Sequence, residues 1–172
     1  MMSQANVTLE VARPADLPAF KQALQEAFSA PVIEQFGGLA DGAIPSDADL
    51  DRSIGAPGAV VLHIASDGRN VGGAVVTIDG HRHHNSLDLL FIVPGVHGRG
   101  LGFKAWSAIE LRFPDTVCWQ THTPYFDRRN IHFYVNKCGF RIVEFFNRHH
   151  PEPAKPGLAD LLGGMFRFEK YR

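Results

Sequence analysis

The sequence predicts an α/β fold in which helices flank a mixed, mostly antiparallel sheet with one parallel pair of strands. Three observations support this prediction. An apolar strand at residues 89–93 leads through a glycine-rich turn into a helical pattern. Three β-rich runs in succession lead up to this turn, and another apolar run at residues 116–121 follows the helix. A strand that returns across a helix in this way normally lies parallel to the strand it left.

Composition narrows the class of protein. The 172 residues predict one domain over residues 1–172, large enough to bury a substantial core. Because 17 basic and 18 acidic residues leave a net charge of -1, we expect neither nucleic acid nor a membrane as partner. Without a span of ~20 apolar residues or a signal-peptide pattern, we expect a cytoplasmic protein. Cys118 and Cys138 lie in apolar segments, which predicts reduced core thiols.

The first half of the chain predicts a strand, two helices and three antiparallel strands. Residues 7–12 alternate apolar and polar side chains as a half-buried strand does, and Pro14 then marks a helix start. The helix has apolar residues at helical spacing, which are Leu17, Phe20, Leu24 and Phe28. An irregular loop at residues 37–46 precedes a short helix at residues 47–54. The antiparallel strands follow at residues 59–65, 71–78 and 86–93, separated by turn sequences.

The last third predicts a short helix and two strands. The helix covers residues 128–138, with Asp127 as its N-cap and Gly139 as its left-handed end. Residues 141–146 and 165–170 have strand patterns, and a proline-containing segment joins them. The seven predicted strands and the helices between them are enough for a sheet covered on both faces.

The glycine-rich turn predicts a phosphate site. Glycines let backbone N–H groups approach an anion, and the helix start adds unpaired donors and the positive end of its dipole. Two well-known phosphate loops do not match. A Walker loop needs Lys and then Ser or Thr directly after its last glycine, and a dinucleotide loop needs glycine at the position of Phe103. On this segment alone, a turn that binds nothing is the alternative.

Residues 97–102, HGRGLG, resemble the pyrophosphate loop of the GNAT superfamily of N-acetyltransferases. The family pattern is Gln or Arg, two residues, Gly, any residue, then Gly or Ala, and here His97 stands in the first position. The resemblance implies that this loop binds the pyrophosphate of acetyl-coenzyme A, and that the strand before it binds pantetheine through backbone amides. The implied residues are Phe91, Ile92, Val93, His97, Gly98, Arg99, Gly100, Leu101, Gly102 and Phe103.

Residues 130–140, NIHFYVNKCGF, resemble the second GNAT signature, in which Phe-Tyr precedes Gly-Phe. In many members the tyrosine protonates the coenzyme A sulfur, and a phenol of pKa about 10 can donate to a thiolate of pKa about 8.5. The resemblance therefore implies Tyr134 as the acid. The commonest spacing has Gly four residues after Tyr, whereas Gly139 is five after Tyr134. Val135 therefore stands at the position that Tyr usually has, unless a bulge in the helix absorbs one residue. Further candidates for coenzyme A contacts are Arg128, Arg129, Asn130 and Lys137.

A base or a water chain must take the proton from the attacking amine. Asp88, on the strand that enters the glycine loop, and His122, at the end of the next strand, are the candidates, with Glu144 a weaker third. Alternation with Leu87 and Leu89 predicts that Asp88 faces the side of the sheet opposite both. A solvent-facing role for each candidate is the alternative.

The resemblance implies an N-acetyltransferase that moves an acetyl group from acetyl-coenzyme A to a primary amine of a small molecule or peptide by direct attack. No metal is expected, because His81, His83 and His84 lie in a predicted hairpin without a Cys or acidic partner. A homodimer is possible. Two alternatives stay open, a non-catalytic acyl-coenzyme A sensor and an acyltransferase of the same fold with another donor or acceptor. The first helix and residues 37–46 and 147–164 should shape the acceptor pocket.

Overall fold

Seven strands of the described chain form one mixed sheet. The computed structural model describes residues 6–39, 42–96, 100–153, 159 and 162–172. The strands are β1 Val7–Val11, β2 Ala59–Ser66, β3 Arg69–Thr77, β4 His84–Ile92, β5 Cys118–Pro124, β6 Arg141–Phe146 and β7 Met165–Tyr171. Their order is β1-β2-β3-β4-β5-β7-β6, and among these strands only β4 and β5 pair in parallel. The predicted fold class is confirmed.

Helices cover both faces of this sheet. They are α1 Leu17–Phe36, α2 Asp47–Gly55, α3 Leu101–Arg112 and α4 Arg128–His132, which continues as a π-helical turn at Phe133–Lys137. Against one face pack α3 and α4, and there Trp106 and Trp119 meet edge to face with ring centroids 5.3 Å apart. Against the other pack α1 and α2, through Phe20, Leu24 and Leu50. We call these the α3 face and the α1 face.

Local sequence explains where the helices begin and end. Gly37 ends α1 with a φ of 79°, a conformation that residues with a Cβ rarely adopt. The Ser46 hydroxyl accepts a hydrogen bond of 3.2 Å from the Asp49 amide and caps α2. The Asp127 carboxylate does the same for α4, accepting from the Asn130 amide at 3.1 Å, as the sequence predicts. None of the helices in the described ranges has the length and apolarity needed to cross a membrane.

A β-bulge at Asp88 bends β4. Val76 of β3 pairs with Leu87 and Val75 pairs with Leu89, so Asp88 is the extra residue between them. The bulge reverses the alternation of side chains, and Leu87 packs on the α3 face whereas Leu89 packs on the α1 face. The expectation that Leu87 and Leu89 share one face is therefore wrong, because an unpaired residue shifts every later side chain to the other side.

The parallel pair of strands is joined only at its beginning. The paired residues are His84 with Cys118, Asn85 with Trp119, and Ser86 with Gln120. Next along the pair, the Thr121 hydroxyl donates a hydrogen bond of 2.8 Å to the Leu87 carbonyl. Residues 88–92 have no pairing with β5, so the two strands diverge from this point. This divergence opens the sheet beyond the carboxyl ends of two parallel strands, where α/β proteins commonly hold ligands.

Candidate functional site

A cavity of about 590 Å³ occupies the gap between β4 and β5. Its walls include the first turn of α3 and residues of α4 on one face of the sheet, and residues 27–34 of α1 on the other. Because the walls come from both faces, the cavity passes through the sheet. Its volume lies in the usual range for small-molecule sites.

The first turn of α3 places backbone amides at this cavity that have no acceptor within the helix. Gly100 precedes the helix with a φ of 66°. The first hydrogen bond of the helix runs from the Lys104 amide to the Gly100 carbonyl, at 3.1 Å. The amides of Leu101, Gly102 and Phe103 come before that bond and therefore have no acceptor within the helix. At Gly102 a Cβ would lie 3.3 Å from the Phe133 ring, so the glycine permits close packing of α3 on the π-helical turn.

The predicted loop residues His97, Gly98 and Arg99 lie outside the described residues. Of the predicted strand amides, that of Val93 donates to the Val71 carbonyl of β3 at 2.8 Å. The Val93 amide therefore does not fit its predicted role in binding pantetheine, because it already donates a hydrogen bond within the sheet. Successive strand amides point in opposite directions, so the Ile92 amide faces the gap while Phe91 shares the direction of Val93.

Cationic and polar side chains of α4 and of the π-helical turn line the α3 side of the cavity. They are Arg129, Asn130 and His132 of α4 and Lys137 of the turn. Asp127 begins this helix, and burial raises the pKa of its carboxyl group, which the hydrogen bond from the Asn130 amide offsets in part. Two cations beside free amides form a set of groups that suits an anionic ligand.

The π-helical turn accounts for the extra residue between Tyr134 and Gly139. The Cys138 amide donates to the Phe133 carbonyl at 3.0 Å, a bond that spans five residues instead of four. This widened turn absorbs the extra residue before Gly139. Tyr134, with 5% of its surface exposed, is the buried residue and lines the cavity, whereas Val135 packs at the edge of the core.

The Tyr134 hydroxyl keeps its proton at all ordinary pH values. Burial raises its pKa well above the usual value, the nearby Cys138 thiol raises it further, and the Thr121 side chain offsets only part of this. A buried phenol of this kind can donate a hydrogen bond or a proton, and it gains by doing so when a neighbouring atom becomes negatively charged.

Asp88 lines the same cavity from the bulge in β4. One carboxylate oxygen accepts a hydrogen bond of 2.6 Å from the Thr77 hydroxyl, and the other accepts one of 2.5 Å from the Ser86 hydroxyl. Both donors favour the ionised carboxylate. Asp88 thus presents an oriented, hydrogen-bonded carboxylate at the cavity wall.

His122 of β5 also lines the cavity, and two contacts hold its ring. Its Nε2 lies 3.6 Å from a carboxylate oxygen of Glu152, whose side chain is only 15% exposed. The ring stacks on Phe146, with centroids 6.1 Å apart and planes at 18°. A nearly buried carboxylate beside an imidazole stabilises the protonated ring, which is the arrangement that a general base requires.

Glu144, the third candidate base, belongs to a different group of side chains. It accepts hydrogen bonds from His150 at 2.7 Å and from Arg167 at 2.8 Å. These two donors hold the pKa of its carboxyl group below the usual range. Glu144 is not part of the cavity wall, so the structure does not support it as the base.

Apolar residues from three segments of the chain form a cluster on the α1 side of the cavity, and three of them, Ile44, Phe126 and Leu162, line its wall. We call this cluster the roof, and its residues are Ile44, Phe126, Phe146, Ala159, Leu162 and Met165. The Ser29 hydroxyl and the Gln25 amide tie the loop of Ile44 to α1 through hydrogen bonds to backbone carbonyls. The segments at residues 37–46 and 147–164, which were expected to shape a pocket, thus contribute Ile44 and Leu162 to the cavity wall.

Comparison with known proteins identifies the family. Residues 18–140, well over half of the chain, match the acetyltransferase (GNAT) family. The chain belongs to the GNAT family. YrkN of Bacillus subtilis (strain 168), an uncharacterized protein, is 58% identical over 177 residues, which cover 98% of this chain and 95% of YrkN. The resemblance predicted from two motifs is therefore confirmed.

Solved GNAT-type structures share the fold. An IAA acetyltransferase from Bacillus cereus ATCC 14579 has a TM-score of 0.69 at 15% identity, over 97% of this chain and all of the other. A Bacillus subtilis acetyltransferase in complex with CoA also has a TM-score of 0.69, at 14% identity, over 97% of this chain and 99% of the other. At such low identity the likeness extends to the fold alone.

Several residues of this GNAT site carry no signal in the sequence. Glu152 stands between two prolines, and only the folded chain brings it to His122. Thr123 lines the cavity, and its buried hydroxyl has no hydrogen-bond partner among the described residues.

In the described ranges no group of three His, Cys, Asp or Glu residues could hold a metal ion.

Proposed function

We propose that this GNAT protein transfers an acetyl group from acetyl-coenzyme A to a primary amine by direct attack. One observation carries the proposal, a single cavity that crosses the sheet between β4 and β5. Tyr134 lies on the α3 side of the cavity, and Asp88 and His122 lie on its α1 side. A donor held on one face and an acceptor admitted from the other would meet in the gap, which brings the reacting atoms together.

The groups on the α3 side fit coenzyme A. Free amides of the first turn of α3 and the cations of Arg129 and Lys137 suit a diphosphate. The Ile92 amide and the unpartnered Thr123 hydroxyl suit the amide groups of pantetheine. His97, Gly98 and Arg99 complete the proposed phosphate loop. The related Bacillus subtilis acetyltransferase is described as a complex with CoA, which supports the same ligand here.

Protons move at two named positions in this proposal. When bound, acetyl-coenzyme A supplies a thioester carbonyl carbon that an amine nitrogen can attack and a sulfur that can leave as a thiol. Tyr134 donates its hydroxyl proton to that sulfur and regains a proton from solvent. Its raised pKa ensures that the proton is present before the reaction.

His122 accepts the proton that the amine must lose. Glu152 stabilises the imidazolium that results, and Phe146 fixes the plane of the ring. Asp88, whose carboxylate is oriented by its two hydroxyl donors, holds the incoming ammonium group instead of deprotonating it, and His122 passes the proton it takes to solvent. After the attack the nitrogen loses its second proton to solvent, which balances the proton that Tyr134 gives to sulfur and regains. The net change is ammonium plus acetyl thioester to acetamide, thiol and one proton, with no charge left on the protein.

A thiol-release screen tests the proposal. Acetyl-coenzyme A is offered with amino acids, polyamines, aryl amines, aminoglycosides and peptides, and calorimetry measures coenzyme A binding in parallel. Release of thiol with any amine, abolished without amine, supports acetyl transfer. Tight coenzyme A binding without transfer to any class contradicts the enzyme and favours the sensor. Faster release from a longer acyl thioester than from the acetyl thioester favours a different acyl donor.

Two wider properties stay predictions. A homodimer and a cytoplasmic location were expected from the sequence, and neither follows from the geometry of the site. Light scattering on the purified chain measures the oligomeric state, and a mass of one chain contradicts the dimer. Fractionation of cells that express the protein tests the location.

A further inference from the structure

The two sides of the cavity carry opposite charges. Arg129 and Lys137 line the α3 side, while Glu34 of α1 and Asp88 of β4 line the α1 side. Asp127, the third carboxylate among the described residues of the wall, lies on the α3 side and caps α4. A ligand on the α1 side therefore meets two carboxylates, which attract an ammonium group and repel a carboxylate.

Most of the α1 side is apolar. The residues that line it are Ala27, Phe28, Pro31, Ile44, Phe126 and Leu162. These side chains have no donor or acceptor for the hydroxyl and amide groups of a sugar or a peptide backbone. Placing such groups against them would leave the groups without hydrogen bonds, which is costly.

The roof limits the size of the ligand. Phe36 of α1 meets Phe126 edge to face, with centroids 5.2 Å apart, and this contact joins α1 to the loop after β5. Ile44 and Leu162 pack on the same side of the cavity. An extended peptide needs an open groove, whereas a side narrowed by the apolar contacts of Phe126, Ile44 and Leu162 favours a compact molecule.

We propose that the acceptor is a small primary amine on an apolar body, an aryl-alkyl or branched alkyl amine that lacks a carboxylate. This inference rests on the proposed acetyl transfer. Asp88 and Glu34 select the ammonium group, and the roof and α1 enclose the apolar body. An amino acid pairs the same body with a carboxylate, which meets the same two negative charges.

Calorimetry on the coenzyme A-loaded protein tests the amine class without requiring turnover. Phenylethylamine is compared with phenylalanine, which adds only a carboxylate, with spermidine, which lacks the apolar body, and with a tripeptide amide that begins with phenylalanine. Phenylethylamine is expected to bind about tenfold or more tightly than each of the others. Equal or tighter binding of any of the three, or no binding of phenylethylamine, overturns the proposal.

Matched variants connect this preference to the two carboxylates. Glu34→Gln and Asp88→Asn should each weaken phenylethylamine binding by about threefold or more. Glu26→Gln makes the same change on an exposed residue of α1 that is not part of the cavity wall, so binding should be unchanged. Unchanged binding in both Glu34→Gln and Asp88→Asn overturns the assignment.

The same amines, assayed for thiol release, separate this proposal from the proposed function. Selective binding of phenylethylamine without any acetyl transfer contradicts the enzyme and leaves the ligand class intact. Faster acetylation of spermidine, phenylalanine or the peptide supports the enzyme and overturns the ligand class.

Discussion

The β4–β5 pair is closed at its beginning and open at its end, although the same two strands form both regions. In the closed region, three residue pairs align, and the Asn85 side chain donates to the Thr116 hydroxyl at 2.7 Å and accepts from the Asp79 amide at 2.8 Å. Both the nitrogen and the oxygen of the Asn85 side-chain amide thus have partners within the protein. In the open region, Asp88 bulges out of β4, and the ladder between the strands stops.

The difference between the two regions shows how the sheet leaves space for a ligand. Thr121 places its side-chain hydroxyl on the Leu87 carbonyl, which satisfies that carbonyl and ends the ladder. Beyond this point the bulge turns β4 away from β5, so the Ile92 amide faces the cavity instead of a partner strand. The closed region provides rigidity, and the open region has hydrogen-bonding capacity left for a ligand.

The largest expected effect concerns the acid of the open region. Replacing Tyr134 with Phe should lower kcat about 100-fold, because proton donation to the leaving sulfur is lost. Coenzyme A should bind as before, since the ring stays in the core. Tyr125→Phe is the matched control, because Tyr125 is half exposed and packs on Phe145 and Phe166 instead of lining the cavity. Equal kcat values for the two variants would contradict the role of Tyr134.

The next effect separates the two candidate bases. His122→Gln should lower kcat by about tenfold or more with little change in KM, because the amine keeps its proton. Asp88→Asn should instead raise KM for the amine, since a charge that holds the ammonium is removed. Steady-state kinetics with an amine from the screen measures both. The reverse pattern would assign the base to Asp88.

Two variants test whether the closed and open regions differ in their effects on stability and on binding. Asn85→Ala and Thr121→Val each remove a buried side-chain hydrogen bond and leave a partner unsatisfied, so each should cost about 1–3 kcal/mol of unfolding free energy. Only Thr121→Val should also weaken coenzyme A binding, because it alone changes the point where the strands part. Urea titration and calorimetry measure the two quantities. A similar loss of binding in Asn85→Ala would argue against a functional division of the pair.

The smallest effect is a dependence of stability on pH. Burial raises the pKa of the Cys138 thiol from 9.0 to about 12, and burial also raises that of Tyr134. The folded chain therefore holds these protons more tightly than the unfolded chain, and stability is full below about pH 9 and declines as the pH rises above it. Thermal melts from about pH 7 to about pH 10 should show a steeper decline for the native chain than for Cys138→Ala. Parallel declines would contradict this.

Local patterns in the sequence determined a large part of this protein. Alternation and β-rich runs predicted seven strands, helical spacing predicted the buried Phe20 and Leu24 of α1, and short polar residues predicted the cap of α4. The two GNAT motifs predicted the family. These features are readable because periodicity, capping and turn chemistry depend on residues that are neighbours in the chain.

Tertiary structure alone decided how the site is assembled. The bulge at Asp88 arises from pairing with β3, and the π-helical turn that brings Tyr134 to the cavity arises from packing on the α3 face. The contact of His122 with Glu152 joins residues 30 positions apart, and the roof gathers residues from three separate segments of the chain. Register, bulges and long-range contacts depend on which partner each segment meets after folding, and a single sequence does not name those partners.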